Sequence, residues 1–314
     1  MISRRTILRG SAGLASAYAA STLAPASAHA DDEILLWPAG RGPGNGGPSG
    51  PEVTGGPGAG FGAVSNISTP RLRVYRPHTS NGKAVLICGG GGYFRIQLWK
   101  ESTPIAKWLQ MNGYTAFELI YRLPNDGWDA SVPFMDAQRA MKLVRSRAAD
   151  FGIRPDRVGI MGFSAGGHLA GYTALRPDHA LYAGDDPIEA QSARPDFSVL
   201  LFPVVSLLKP YDATRTRREI IGRDPSLTAQ RAWSLHTHVT GSAPPTIIIS
   251  AADDTITPPG HGITLFEALS GRGAAAELHI FEQGGHGWGL GTDDQILSQW
   301  PTIFDNWIKK RKFE

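Results

Sequence analysis

The segment Arg157-Val158-Gly159-Ile160-Met161-Gly162-Phe163-Ser164-Ala165-Gly166-Gly167-His168 constrains this chain more than any other. An apolar run that reads as a strand leads straight into G-x-S-x-G and then into a helical pattern. Ser164 therefore falls on a sharp strand-to-helix turn. Such a turn strains the backbone, and Gly162 and Gly166 are required because a side chain at either position would collide with the neighbouring strand or helix. The strain lifts the serine hydroxyl clear of the sheet. It also sets Ser164 at a helix N-terminus, where the Ala165 N–H and the helix dipole favour developing negative charge.

From about residue 71 the chain alternates short β-branched runs with helical patterns. Strands are expected at Leu72 to Arg76, Val85 to Cys88, Thr115 to Tyr121, Val158 to Met161, Phe197 to Phe202, Thr246 to Ser250 and Leu278 to Phe281. Between them, Pro133 to Asp150 repeats Phe134, Ala137, Met141, Val144 and Ala148 at helical spacing. This alternation predicts an α/β fold, a mainly parallel sheet with helices on both faces and active groups at the carboxyl ends of its strands.

At 314 residues, 41% hydrophobic and 19% charged, the chain can form one large globular core. Its formal charge of +3 is modest, and its basic residues are scattered among acids, which argues against a nucleic-acid partner. A single cysteine, Cys88, excludes an intramolecular disulfide and cysteine-based metal sites. It closes the run Ala84-Val85-Leu86-Ile87 and reads as a buried strand residue.

Residues 1–30 read as a twin-arginine export signal. Arg4-Arg5 precede a mild apolar stretch from Gly13 to Leu23, and Ala28-His29-Ala30 offers a small-residue cleavage site. The stretch is too short and mild for stable membrane insertion, so a periplasmic or extracellular protein is expected. Residues 31–70 form a Gly/Pro-rich segment. Its portion from Pro38 to Gly60 is expected as a loop over the surface. Residues 71–314 are then a single catalytic domain.

A serine hydroxyl needs a base within hydrogen-bond reach. Of nine histidines, His286 has the right context, the glycine-flanked loop Gly284-Gly285-His286-Gly287-Trp288 after the last strand. His168 lies in the helix after the turn, and His236, His238 and His261 lie in loops or at helix starts. The acid that orients the imidazole should follow the strand Thr246-Ile247-Ile248-Ile249-Ser250, within Ala252-Asp253-Asp254-Thr255-Ile256. Adjacent aspartates face different directions, so one serves. Asp253 is favoured for its spacing to Ile256, with Asp254 the alternative. Gly89-Gly90-Gly91-Gly92-Tyr93 follows the strand ending at Cys88 in the position of an HGGG-type loop. By that register Gly91 and Gly92, with Ala165, supply oxyanion amides. Tyr93 and Trp288 flank these loops and are candidates to touch substrate, or else core aromatics.

With these segments assembled, the chain resembles the acetyl xylan esterase-like carbohydrate esterases of the α/β-hydrolase fold, near the dienelactone hydrolase and prolyl oligopeptidase branches. The likeness also includes Leu36-Trp37-Pro38, Tyr121-Arg122-Leu123-Pro124, Asp136-Ala137-Gln138-Arg139-Ala140, Gly222-Arg223-Asp224-Pro225-Ser226 and Pro244-Pro245-Thr246. It implies cofactor-free hydrolysis of small-molecule or oligosaccharide esters, deacetylation of xylan foremost, with other small-acyl or feruloyl esters as alternatives. A prolyl oligopeptidase-like peptidase is disfavoured because the chain lacks the length for a gating propeller. Two departures stand out: Gly89 replaces a proline usual in relatives, and His261 stands where many have asparagine.

Overall fold

The computed structural model describes residues 32–38, 40–55 and 60–311. The expected export signal lies outside them. The strand Ala84–Cys88 carries no polar side chain and is buried throughout. A run of this kind is stable only where both faces are covered. The observed layers supply that cover.

Among the described residues eleven strands run in chain order: β1 (Asp32–Leu35), β2 (Val53–Thr54), β3 (Ala63–Ser65), β4 (Arg71–Tyr75), β5 (Ala84–Cys88), β6 (Ile96–Gln97), β7 (Thr115–Ile120), β8 (Val158–Phe163), β9 (Ser198–Leu201), β10 (Thr246–Ala251) and β11 (Ala276–Phe281). Eight of them form one sheet in the order β1-β4-β7-β5-β8-β9-β10-β11. The six from β7 to β11 are parallel, and β1 and β4 are antiparallel at one edge. The α-helices are α1 (Leu98–Glu101), α2 (Thr103–Met111), α3 (Val132–Ser146), α4 (Ala165–Leu175), α5 (Arg215–Ile221), α6 (Leu227–Ala232), α7 (Gly260–Ser270) and α8 (Trp300–Lys310). Strand alternation divides the core into two layers. Ala84, Leu86 and Cys88 face Phe134 and Val144 of α3, Leu169 of α4 and Leu265 of α7. Val85 and Ile87 face Ile105 and Leu109 of α2 and Phe304 and Trp307 of α8. This is the α/β-hydrolase arrangement, and all seven expected strands are present with small shifts at their ends. The long helical pattern divides at Arg147, where α3 gives way to a 3₁₀ turn at Ala148–Phe151.

Across Pro38 to Gly60, expected as a surface loop, the described residues form no regular element except β2. On either side of that stretch, β1 extends the sheet, and β3 and β6 join β2 in a separate three-stranded antiparallel sheet. Strands of two to four residues are too short for a two-residue period to declare itself. A buried ion pair anchors the segment. Arg122 donates to Asp136 from Nε (2.9 Å) and Nη2 (2.6 Å), with both side chains fully buried. Trp37 Nε1 donates to the same carboxylate at 3.0 Å, and Arg122 Nη1 donates to the Pro43 carbonyl at 2.6 Å. Three of the segments behind the resemblance thus meet at one carboxylate, which ties Trp37 and, through Arg122, Pro43 to α3. Among the described residues, no helix is long and apolar enough to cross a membrane.

Two buried histidines are locked in their neutral form. His168 Nε2–H faces the Trp233 carbonyl at 2.7 Å, so Nδ1 accepts from the Tyr93 hydroxyl at 3.0 Å. His261 Nδ1 accepts from the Val205 and Ser206 amides at 3.1 and 3.2 Å. Burial lowers each from 6.5 to about 4. Between those values an unfolded chain binds protons at both positions and the folded chain does not, so stability present at neutral pH is lost as pH falls through that window. Urea unfolding is expected to show a falling midpoint from neutral pH to about pH 4. His261→Asn keeps an acceptor but cannot be protonated, and it should flatten that slope; an unchanged slope would contradict the assignment.

Candidate active site

The loops after β5, β8, β10 and β11 all leave the carboxyl end of the sheet, so their residues converge there. Ser164, between β8 and α4, has φ 52° and ψ −116°. A side chain in this left-handed region is strained and persists only under constraint from its surroundings. Those surroundings are close. A Cβ at Gly162 would lie 2.1 Å from the Gly166 carbonyl oxygen, and one at Gly166 would lie 2.0 Å from the Cys88 carbonyl oxygen. The Ser164 backbone is also pinned, its N–H donating to Leu201 O (3.0 Å) and its carbonyl accepting from Val204 (3.1 Å) and His168 (3.1 Å).

Ser164 Oγ lies 2.9 Å from His286 Nε2, and His286 Nδ1 lies 2.7 Å from Asp254 Oδ2. A carboxylate only accepts, so Nδ1 carries the ring proton and Nε2 is free to accept from the serine. The side chain of Asp254 is fully buried. Its Oδ1 accepts from the amides of Ile256 (2.8 Å) and Thr257 (2.9 Å), and the Thr257 hydroxyl lies 2.9 Å from Oδ2. The favoured acid at the sequence level, Asp253, is therefore corrected to Asp254. Asp253 is exposed and points to the other side of the turn, where Oδ1 accepts from Gly285 N–H at 2.7 Å. The amides of Gly285 and Gly284 hold its carboxyl below the usual range. Asp253 thus grips the loop that carries His286, and its neighbour grips the imidazole.

The Gly89 to Tyr93 loop lies against the serine turn. A Cβ at Gly90 would stand 2.7 Å from the Phe163 carbonyl oxygen and 3.0 Å from Ser164 Cβ. Gly91 (φ 127°) and Gly92 (φ 63°) take conformations that favour glycine. Among the described residues, nothing accepts from the amides of Gly91, Gly92 or Ala165. Gly91, Gly92, Ser164 and His286 line one cavity of about 390 Å³, together with Phe94 and Ile256. The groups expected from sequence meet there, the acid excepted.

Tyr93 and Trp288 do not line it. Tyr93 is fully buried and bonded to His168, and Trp288 packs edge-on against Phe202 with centroids 4.7 Å apart. Both are core aromatics, the second of the two readings.

Glu101, at the end of α1, was not singled out from sequence, because one acid in a mixed helix carries no distinguishing signal. Its buried carboxylate accepts from Gly90 N–H at 3.0 Å, and Oε1 would stand 3.0 Å from a Cβ on Gly287. One side chain therefore braces the glycine loop and borders the histidine loop. Burial raises its pKa, opposed by the charges of His286, Lys100 and Arg95 and by the Gly90 amide.

Comparison with known proteins agrees with this geometry. Residues 72–269 match the family model described as BD-FAE. The chain belongs to the BD-FAE family. It is 32% identical over 257 residues to an acetylxylan esterase of Xylanibacter ruminicola, covering 78% of this chain and 49% of that protein. It thus spans about half the length, or less, of the sequence relatives it matches. Among solved structures it is similar to an acetyl ester-xyloside bifunctional hydrolase from Caldicellulosiruptor lactoaceticus, with 34% identity and TM-score 0.72 over 78% of this chain and 89% of that one. It is also similar to a thermophilic esterase from Thermogutta terrifontis, with 26% identity and TM-score 0.67 over 79% and 91%. The fold is that of the α/β-hydrolase esterases.

Two predictions follow from the geometry. Asp254→Asn leaves His286 without its acceptor and is expected to lower turnover of an activated acyl ester about 10⁴-fold, whereas Asp253→Asn retains an acceptor for Gly285 and should cost far less; initial rates compare them. Glu101→Ala frees the Gly90 amide and is expected to lower kcat about 10²-fold through misplacement of the loop. Glu101→Gln keeps an acceptor and should recover most of that loss in steady-state kinetics.

Proposed function

We propose that this chain is a serine carboxylic ester hydrolase that works through an acyl-enzyme, and that its substrates are acetyl esters of xylan or related plant cell-wall carbohydrates. The observation that carries the reading is the unbroken hydrogen-bonded series Asp254, His286, Ser164, opening on a cavity beside three unengaged amides. Ser164 Oγ attacks the acyl carbon while His286 Nε2 takes its proton. The carbonyl oxygen becomes an oxyanion received by the Gly91, Gly92 and Ala165 N–H groups. Asp254 stabilises the imidazolium. Collapse expels the sugar alkoxide, which takes the proton from His286, and leaves Ser164 acylated. Water then attacks the acyl-enzyme with His286 as base, and acetate and free serine are released. Every proton moves between groups of this chain, substrate and water, so the scheme requires no cofactor.

The substrate class rests on the likeness to an acetylxylan esterase and an acetyl ester-xyloside hydrolase. Export through the twin-arginine route to the periplasm or medium is part of the proposal and rests on the sequence of residues 1–30.

Ser164→Ala is expected to lower kcat on p-nitrophenyl acetate about 10⁶-fold without loss of the folded state. Acid release from acetylated xylan, p-nitrophenyl butyrate and feruloyl esters tests the acyl preference. Activity confined to the feruloyl esters would replace acetate as the acyl group, and retained turnover in Ser164→Ala would remove the mechanism.

A further inference from the structure

Phe61 and Trp99 are large aromatic side chains left in water, 54% and 55% exposed. They touch each other edge to face, with ring centroids 4.5 Å apart at 88°. Isolated exposed apolar residues need no explanation, but a paired, oriented aromatic surface beside a catalytic cavity does. Leaving such rings exposed forgoes the gain of removing their apolar surface from water.

The pair is built rather than incidental. Gly62 has φ 71°, and a Cβ there would lie 2.1 Å from Trp99 Cγ, so the indole seats on bare backbone. The pairing of β3 with β6, Ala63 opposite Gln97 and Val64 opposite Ile96, fixes the Phe61 turn against the start of α1. This assembly adjoins the cavity. Gln97, Lys100 and Arg95 line it, and a Cβ on Gly60 would stand 2.2 Å from the Arg95 guanidinium. On its other side α1 meets the histidine loop, where a Cβ on Gly289 would stand 2.4 Å from the Lys100 carbonyl oxygen.

We propose that Phe61 and Trp99 form a stacking platform for a pyranose ring of the glycan that bears the ester, next to the sugar held at Ser164. The inference rests on the carbohydrate-ester reading and deepens it: the substrate is an oligomer or polymer rather than a single acetylated sugar. An aromatic face is electron-rich, and the C–H face of a pyranose presents weakly positive hydrogens to it. Neither partner needs a charge, which suits a neutral xylan backbone. Trp99 and Phe61 touch no reacting atom, so they act on binding and not on the chemical step.

The test uses the full chain and three measurements, calorimetry, steady-state kinetics and sedimentation. Binding of unacetylated xylohexaose is followed by calorimetry in Ser164→Ala alone and combined with Trp99→Ala or Trp99→Tyr. Trp99→Ala is expected to weaken binding about tenfold, while Trp99→Tyr keeps most of it. In active protein, Trp99→Ala and Phe61→Ala should raise KM for acetylated xylo-oligosaccharides with kcat and p-nitrophenyl acetate turnover unchanged. Equal xylohexaose affinity and equal KM with and without the aromatic overturn the platform, even if esterase activity is confirmed. A change in sedimentation without any change in sugar binding also overturns it, and makes the pair a contact between copies. Xylohexaose binding that depends on Trp99 in a protein without esterase activity would uphold the platform while removing the esterase reading.

Discussion

Ser164 holds a backbone conformation that a serine adopts only under constraint, and the organisation of the site depends on what constrains it. The close approaches of Gly162 to Gly166, and of Gly166 to the end of β5, leave no room for a side chain at either glycine. They set β8, α4 and β5 at distances that a methyl group would break. With those distances fixed, the Ser164 hydroxyl reaches His286 and the cavity, and the Ala165 amide that follows it in the chain is left unengaged among the described residues. The glycine loop after β5 then lies against the serine turn, because Gly90 too lacks a Cβ. Strain at one residue is thus held by packing at three glycines, a local cost offset by the buried sheet beneath.

Around that fixed point the loops are held by carboxylates in distinct roles. Asp254 accepts a hydrogen bond from the imidazole, Asp253 holds the Gly285 amide just before His286 in the chain, and Glu101 braces the facing glycine loop. These positions differ sharply in burial: Asp254 and Glu101 are buried and Asp253 is exposed. A buried carboxylate is tolerable only where hydrogen bonds replace water. Asp254 has amides, a hydroxyl and an imidazole. Glu101 has the Gly90 amide, and burial raises its pKa. Away from the site, the Arg122–Asp136 pair solves the same problem by mutual neutralisation, and so fastens the N-terminal segment to α3.

Much of this was legible beforehand. The inner strands β5, β8, β9 and β10 announced themselves as largely apolar runs, because burial on both faces leaves little other composition, whereas the half-exposed edge strand β11 carries Glu277 and His279. The nucleophile, base and oxyanion loop carried glycine patterns that few other structures require. What escaped notice had no such pattern: strands of two to four residues, and a lone glutamate whose meaning comes from the amide it meets.

The sequence by itself determined the α/β arrangement, the turn at Ser164, the histidine after the last strand and the chain order serine, aspartate, histidine, since each follows from local composition and spacing. Only the tertiary structure decided between Asp253 and Asp254. Neighbouring side chains diverge, and which of them reaches His286 depends on the turn after β10 and on where β11 delivers its loop. Tertiary structure also decided which aromatics meet water. Tyr93 and Trp288 lie nearest the catalytic loops in sequence yet are buried, Tyr93 against Phe134 and His168 and Trp288 against Phe202 and Trp300, whereas Phe61 and Trp99 are exposed because a short sheet of non-adjacent strands holds them there. Exposure is a property of all that packs around a residue, and no stretch of sequence contains it.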